Sequence, residues 1–299
     1  MTLPTSWFDA VLAACVAMAG FAPAAGVEAA TDDTGVGVVA EYRPAAARFT
    51  LTRQPGGETV PVQIGTVVVA GDRVSLPAGA TVTVHLANGE MSSFKGPGTF
   101  AVPAARPLGK LAAVFQSMSD LFDDEYRLAG TAASRGGETC GQGGATVQPI
   151  EVPILVPGAE VVAGKRDLPL AWHGGCPPFV VQMLAGNDSL VHRESIDGWQ
   201  LRLDDVPLAV GHYSIIITDT TGKRFEAGLA AVARGPEIPA DLAADTSSLG
   251  VVAQAVWLAG QDGGRWRLDS FERLRPLIRA GDPLAGSIGD GVLWGPAPR

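Results

Sequence analysis

The chain has 299 residues and a formal net charge of −9, from 22 basic against 31 acidic side chains. An acidic chain lacks the basic footprint of a nucleic-acid binder. With 46% apolar and only 18% charged residues, it is too hydrophobic to be disordered throughout. Its 38 glycines and 22 prolines are well above average usage and point to many turns and linkers. Few aromatics and much alanine and valine suit a turn-rich, largely β protein, and the length suggests two or three domains.

The longest apolar run, Ala10 to Ala25, is uncharged but shorter than the ~20 residues of a membrane span, and Pro23 interrupts it. Small residues follow, and Val27-Glu28-Ala29 fits a cleavage site, so residues 1–30 read as a secretory signal peptide. The n-region lacks Lys and Arg, which leaves an uncleaved anchor to the inner membrane as the alternative. The expected location is periplasmic or secreted. Removing the signal leaves two cysteines, Cys140 and Cys176, both in Gly/Pro-rich loops. An even count in an exported chain favours a disulfide between them, with two unrelated thiols as the alternative.

Residues 36–104 show the period of two expected of half-buried strands. Arg48 to Arg53, Val60 to Ile64, Thr81 to Leu86, Met91 to Lys95 and Thr99 to Val102 are predicted strands, with Asn88-Gly89 as a hairpin turn. Gly35-Val36-Gly37-Val38-Val39-Ala40 matches a degenerate dinucleotide fingerprint. Glu41-Tyr42-Arg43-Pro44 follows where a helix should begin, so we read it as a chance match.

Within this segment, Val62-Gln63-Ile64-Gly65, then Val69-Ala70-Gly71-Asp72-Arg73-Val74, then Gly79 to Val84 and the hairpin Leu86-Ala87-Asn88-Gly89-Glu90 resemble the FecR domain, an all-β module of bacterial extracytoplasmic proteins. The likeness covers under a quarter of the chain. It implies a β-roll or sandwich that acts by contact with other proteins at the cell envelope. The family's regulators carry a cytoplasmic sigma-binding segment ahead of a membrane span. No such segment precedes the signal-like run, so only the extracytoplasmic half of that role carries over.

Leu108, Leu111, Phe115, Met118 and Phe122 recur at helical spacing and predict a connecting helix over 107–129. Asp120, Asp123, Asp124 and Glu125 read as a solvated acidic face. Residues 130–148 read as a Gly-rich linker. Residues 149–234 return to strands: Ile150 to Val152, Ile154 to Val156, Leu168 to Trp172, Phe179 to Leu184, Trp199 to Leu203, Tyr213 to Ile217 and Phe225 to Val232. About seven strands fit an Ig-like β-sandwich. Trp172 resembles the core tryptophan of such modules, and Gly211-His212-Tyr213 their tyrosine corner. Residues 243–295 predict a C-terminal helical hairpin. It has caps at Asp245 to Ser248, a break at Gln261 to Gly264, a kink or split at Pro276, and a third helix starting at Asp282-Pro283.

The fold class expected is therefore mainly β with helical segments: a FecR-like β-roll or sandwich, an Ig-like sandwich and a helical hairpin. The histidines, His85, His173, His192 and His212, are scattered, and no nucleophile elbow, phosphate loop or metal-ligand spacing occurs. We therefore expect no enzyme, no cofactor, no metal and no catalytic residue. The expected role is binding, sensing or signal relay with an envelope protein partner. The alternative is a structural envelope protein contacting peptidoglycan or polysaccharide. Trp257 and Trp266 are the expected partner-contact residues, with the exposed edge of the FecR-like sheet. The bland alternative packs both tryptophans onto the Ig-like domain.

Overall fold

The computed structural model describes residues 35–44, 49–121 and 148–295, the side chains of 119–121 excepted. The signal-like run, Cys140, the acidic residues from Asp120 to Glu125 and nearly all of the Gly-rich linker lie outside these. All described residues belong to one unit, Thr31–Arg299. Among them, no helix is long and apolar enough to cross a membrane.

Fifteen strands and five α-helices make up the described chain. The first eight strands are β1 Gly35–Arg43, β2 Thr50–Thr52, β3 Thr59–Pro61, β4 Val67–Val69, β5 Arg73–Leu76, β6 Thr81–Leu86, β7 Met91–Lys95 and β8 Gly98–Ala101. They form two four-stranded antiparallel sheets, ordered β4-β1-β6-β7 and β3-β2-β5-β8. Leu51, Val74, Val82 and Val84 are buried between them, so the expected alternation does place one apolar face inward.

β1 departs from simple alternation because it is buried on both faces. Val36 and Val39 join the sandwich core, while Val38 and Ala40 join a second core shared with helices. A bulge between Val39 and Glu41 shifts the register. The glycines of the dinucleotide look-alike are packing residues: a Cβ at Gly37 would lie 2.7 Å from the His85 carbonyl oxygen. Only a strand without a side chain there fits that close.

Two expected strands are corrected. Gln63 and Ile64 are not in a ladder. The Thr66 hydroxyl accepts from the Gln63 N–H at 2.7 Å, and Gly65 has φ +81°, so the segment turns. Ile150 to Val156 holds only an isolated bridge between Glu151 and His173. Pro149 and Pro153 remove ladder donors there.

α1, Leu111–Leu121, starts later than Pro107. Phe115 and Met118 are buried beneath it. The second sandwich contains β9 Ala159–Val162, β10 Gly164–Ala171, β11 Phe179–Ala185, β12 Leu190–Ile196, β13 Gln200–Leu208, β14 Gly211–Thr218 and β15 Arg224–Val232. Its sheets run β12-β11-β14-β15-β9 and β10-β13, with β15 and β9 parallel and every other pair antiparallel. Trp172 is buried edge-on to Phe179, ring centroids 5.3 Å apart. The Tyr213 hydroxyl donates to the Ala209 carbonyl at 3.0 Å, a tyrosine corner. β9 and β12 were not among the expected strands. β12 has no buried residue, so its pattern gives no inward face.

The three expected C-terminal helices are present, as α3 Ser248–Gly260, α4 Arg267–Arg279 and α5 Pro283–Trp294, preceded by a short α2 Ala240–Ala243. Ser247 caps α3, and Asp282 caps α5 ahead of Pro283. Pro276 does not split α4. It is exposed and lies in the last turn, so its missing N–H falls on the solvent side. α5 packs on β1 and β10, α4 on β9 and β10, and α1 on α3. The helices thus sit between the two sandwiches and share one apolar core with both.

Candidate functional site

A groove of about 970 Å³ opens on the N-terminal sandwich, where edge strands β3 and β4 of its two sheets meet α1. Val60, Ile64 and Phe115 supply apolar surface, and Gln54, Gln63 and Gln116 bring carboxamides. Its position follows from local chemistry. Gly65 turns the chain beneath α1, so close to Met118 that a side chain would collide with the Met118 Cε.

Asp72, fully buried, organises the groove wall. Its Oδ1 accepts the Gln54 N–H at 3.0 Å, and its Oδ2 accepts the Val69 N–H and the Arg53 guanidinium, both at 2.9 Å. Arg53 also donates to the Val67 carbonyl at 2.8 Å. These bonds occupy backbone groups on the outer side of β4, so a further strand cannot pair there. On β3, Pro61 lacks an N–H. β7 is different. The register with β6 turns the backbone groups of Met91, Ser93 and Lys95 away from the sheet, and no described strand pairs with this edge. The expected contact edge of this sandwich is therefore β7, while the β3–β4 side offers a groove.

The residues singled out in the sequence do not converge. Trp266 is 4% exposed and lies against Gly235 and Val162 beside the second sandwich, which removes it from any outer contact surface. Trp257 is half-buried and lines a cavity of about 320 Å³ with Leu111 and Val114 of α1. Cys176 is buried, and its backbone N–H donates to Asp219 at 2.9 Å. His173 Nε2 is 2.7 Å from the Trp294 carbonyl oxygen. Among the described residues, no group of three or more His, Cys, Asp or Glu side chains is placed to hold a metal ion.

Ser248, His85 and Asp282, from three different elements, stand in the order of a nucleophile, a base and an orienting carboxylate. Ser248 Oγ is 3.2 Å from His85 Nε2, and Asp282 Oδ2 is 3.9 Å from His85 Nδ1. The second distance exceeds hydrogen-bond reach, and His85 is 1% exposed. The geometry is that of a packed joint, not of a site open to substrate. Sequence reasoning missed it because the three residues are separated by up to about two hundred positions. Asp72 belongs to the Gly71-Asp72 pair of the FecR-like segment, and its partners, distant in sequence at Arg53 and Gln54, emerge only from the fold.

No family model matches the chain, and no curated protein matches it in sequence. Among solved structures, it is similar to CopC from Methylosinus trichosporium OB3b, with 18% identity over 31% of this chain and 100% of that one, at a TM-score of 0.23. The BSP domain of a biofilm-associated protein shares 15% identity over 69% of this chain and 28% of its own, at 0.22. Fibronectin(III)-like modules of CbhA from Clostridium thermocellum share 10% identity over 64% and 82%, also at 0.22. Likenesses this slight define neither a family nor an activity.

Proposed function

We propose that the chain is a non-enzymatic, extracytoplasmic FecR-domain protein that binds, senses or relays a signal at the bacterial cell envelope. Its partner is an envelope protein. The observation that carries this reading is the groove between β3, β4 and α1, a built concavity with mixed polar and apolar walls. The signal-like N-terminus and the FecR-like order of strands and turns support the location. A Cys140–Cys176 bridge fits an oxidising compartment.

The three glutamines also suit hydroxyl-rich ligands, which is the ground for the second reading, a structural protein on peptidoglycan or polysaccharide. Gln116→Trp, on the exposed face of α1, would fill the groove without entering a core. In crosslinked cells, the wild-type chain should carry a discrete protein adduct that Gln116→Trp loses. Co-sedimentation of the wild-type chain with cell wall, with no protein adduct, would instead establish the structural role.

A further inference from the structure

His85 lies at a junction of three elements. On β6 it stands between Val38 of β1 and Met91 of β7, neither of which brings a charge. From α3 the Ser248 hydroxyl meets it, at 3.2 Å from Nε2. The preceding Asp245 carboxylate is engaged by the Ser247 hydroxyl at 2.6 Å. From α5 it meets Asp282, whose Oδ1 accepts the Ala285 N–H at 2.9 Å as the helix cap. Beyond the strand, Arg106 donates to the Ala87 carbonyl.

The imidazole therefore faces the N-terminal ends of two helices. These ends carry partial positive charge and favour anions, so an imidazolium is out of place between them. Its Nδ1 makes no hydrogen bond. The backbone beneath cannot yield, because β1 approaches at Gly37 closely enough to exclude even a Cβ. A neutral ring fits this joint, whereas a charged one has a single carboxylate, Asp282 at 3.9 Å from Nδ1, to offset its burial and the two helix ends.

We infer that His85 is an acid-sensitive latch between the N-terminal sandwich and the helical layer: neutral, it closes the junction, and protonation opens it. Burial pushes its pKa below the ordinary 6.5, against the pull of Asp282. The sign follows from linkage. The open state takes up the proton first, so the latch contributes stability above pH 6.5 that is lost as pH falls toward the folded value. Use of the latch as a sensor rests on the proposed location; the latch itself does not.

The test is hydrogen exchange of the full chain at about pH 7.5 and about pH 5.5, corrected for intrinsic rates, beside an NMR titration of the His85 ring. Opening of β6 and the first turns of α3 and α5 should rise together at the lower pH, by up to about tenfold, since one pH unit below the open-state pKa is a factor of ten. His85→Gln should abolish that rise. An equal rise in His85→Gln, or no rise in the wild type, would overturn the latch. If the variant does not fold, the wild-type ring titration decides alone. A pKa below 6.5 supports the latch, and one at or above 6.5 ends it.

Discussion

Asp72 and Asp219 are both buried carboxylates that act on backbone donors. Asp72 holds β4, the turn at Gln54 and Arg53 together. Asp72→Ala strands two part-buried N–H groups and a part-exposed guanidinium, so we expect a loss of about 2 kcal/mol in urea unfolding. The groove should open with it. Burial would raise the Asp219 carboxyl. The Thr221 hydroxyl and the N–H groups of Cys176, Lys223 and Thr221 outweigh it and hold its pKa below the ordinary 3.8. Asp219 thus contributes stability that is present above the ordinary carboxylate range and lost as pH falls through its lowered value. Asp219→Asn should flatten the acid limb of a stability–pH curve and lower the plateau at neutral pH. A curve of unchanged shape would contradict this.

At the scale of elements, what the sequence made legible depended on how many faces each element buries. β6 reads directly from Val82, Val84 and Leu86, which alternate toward the sandwich core. β1, buried on both faces, blurs its period and mimics a nucleotide motif. β12 has no inward face and was missed. Caps were legible because Ser247 and Asp282 act on their own helices, whereas the pairing of His85 with Ser248 and Asp282 depends on tertiary packing. Pro276 ran the other way: the helix continues through it, because its missing bond falls on the exposed side of the last turn. Pro276→Ala should therefore restore a ladder bond and raise stability by about 1 kcal/mol, well below the roughly 3 kcal/mol of an interior proline because the site is in the last turn, measured by thermal unfolding. The expected Cys140–Cys176 bridge would close a loop worth roughly 4 kcal/mol in the chain-entropy model. Intact mass after alkylation without reductant should show no labelled thiol in the mature chain, and two labels would contradict the bridge.

For the whole molecule, the helices are the connecting layer. α5 meets β1 and β10, and α4 meets β9 and β10 through Arg166, whose guanidinium donates to Asp269 at 2.7 Å. The two sandwiches and the helices thus share a continuous core. The most direct test of the binding role is photo-crosslinking in cells from single positions of the full chain: Gln54 and Gln116 at the groove, Ser93 on the β7 edge, and Arg193 on β12 as the control. The account predicts an adduct with one discrete protein from the groove positions and none from Arg193. Equal crosslinking from all four positions, or none from the groove, would contradict it.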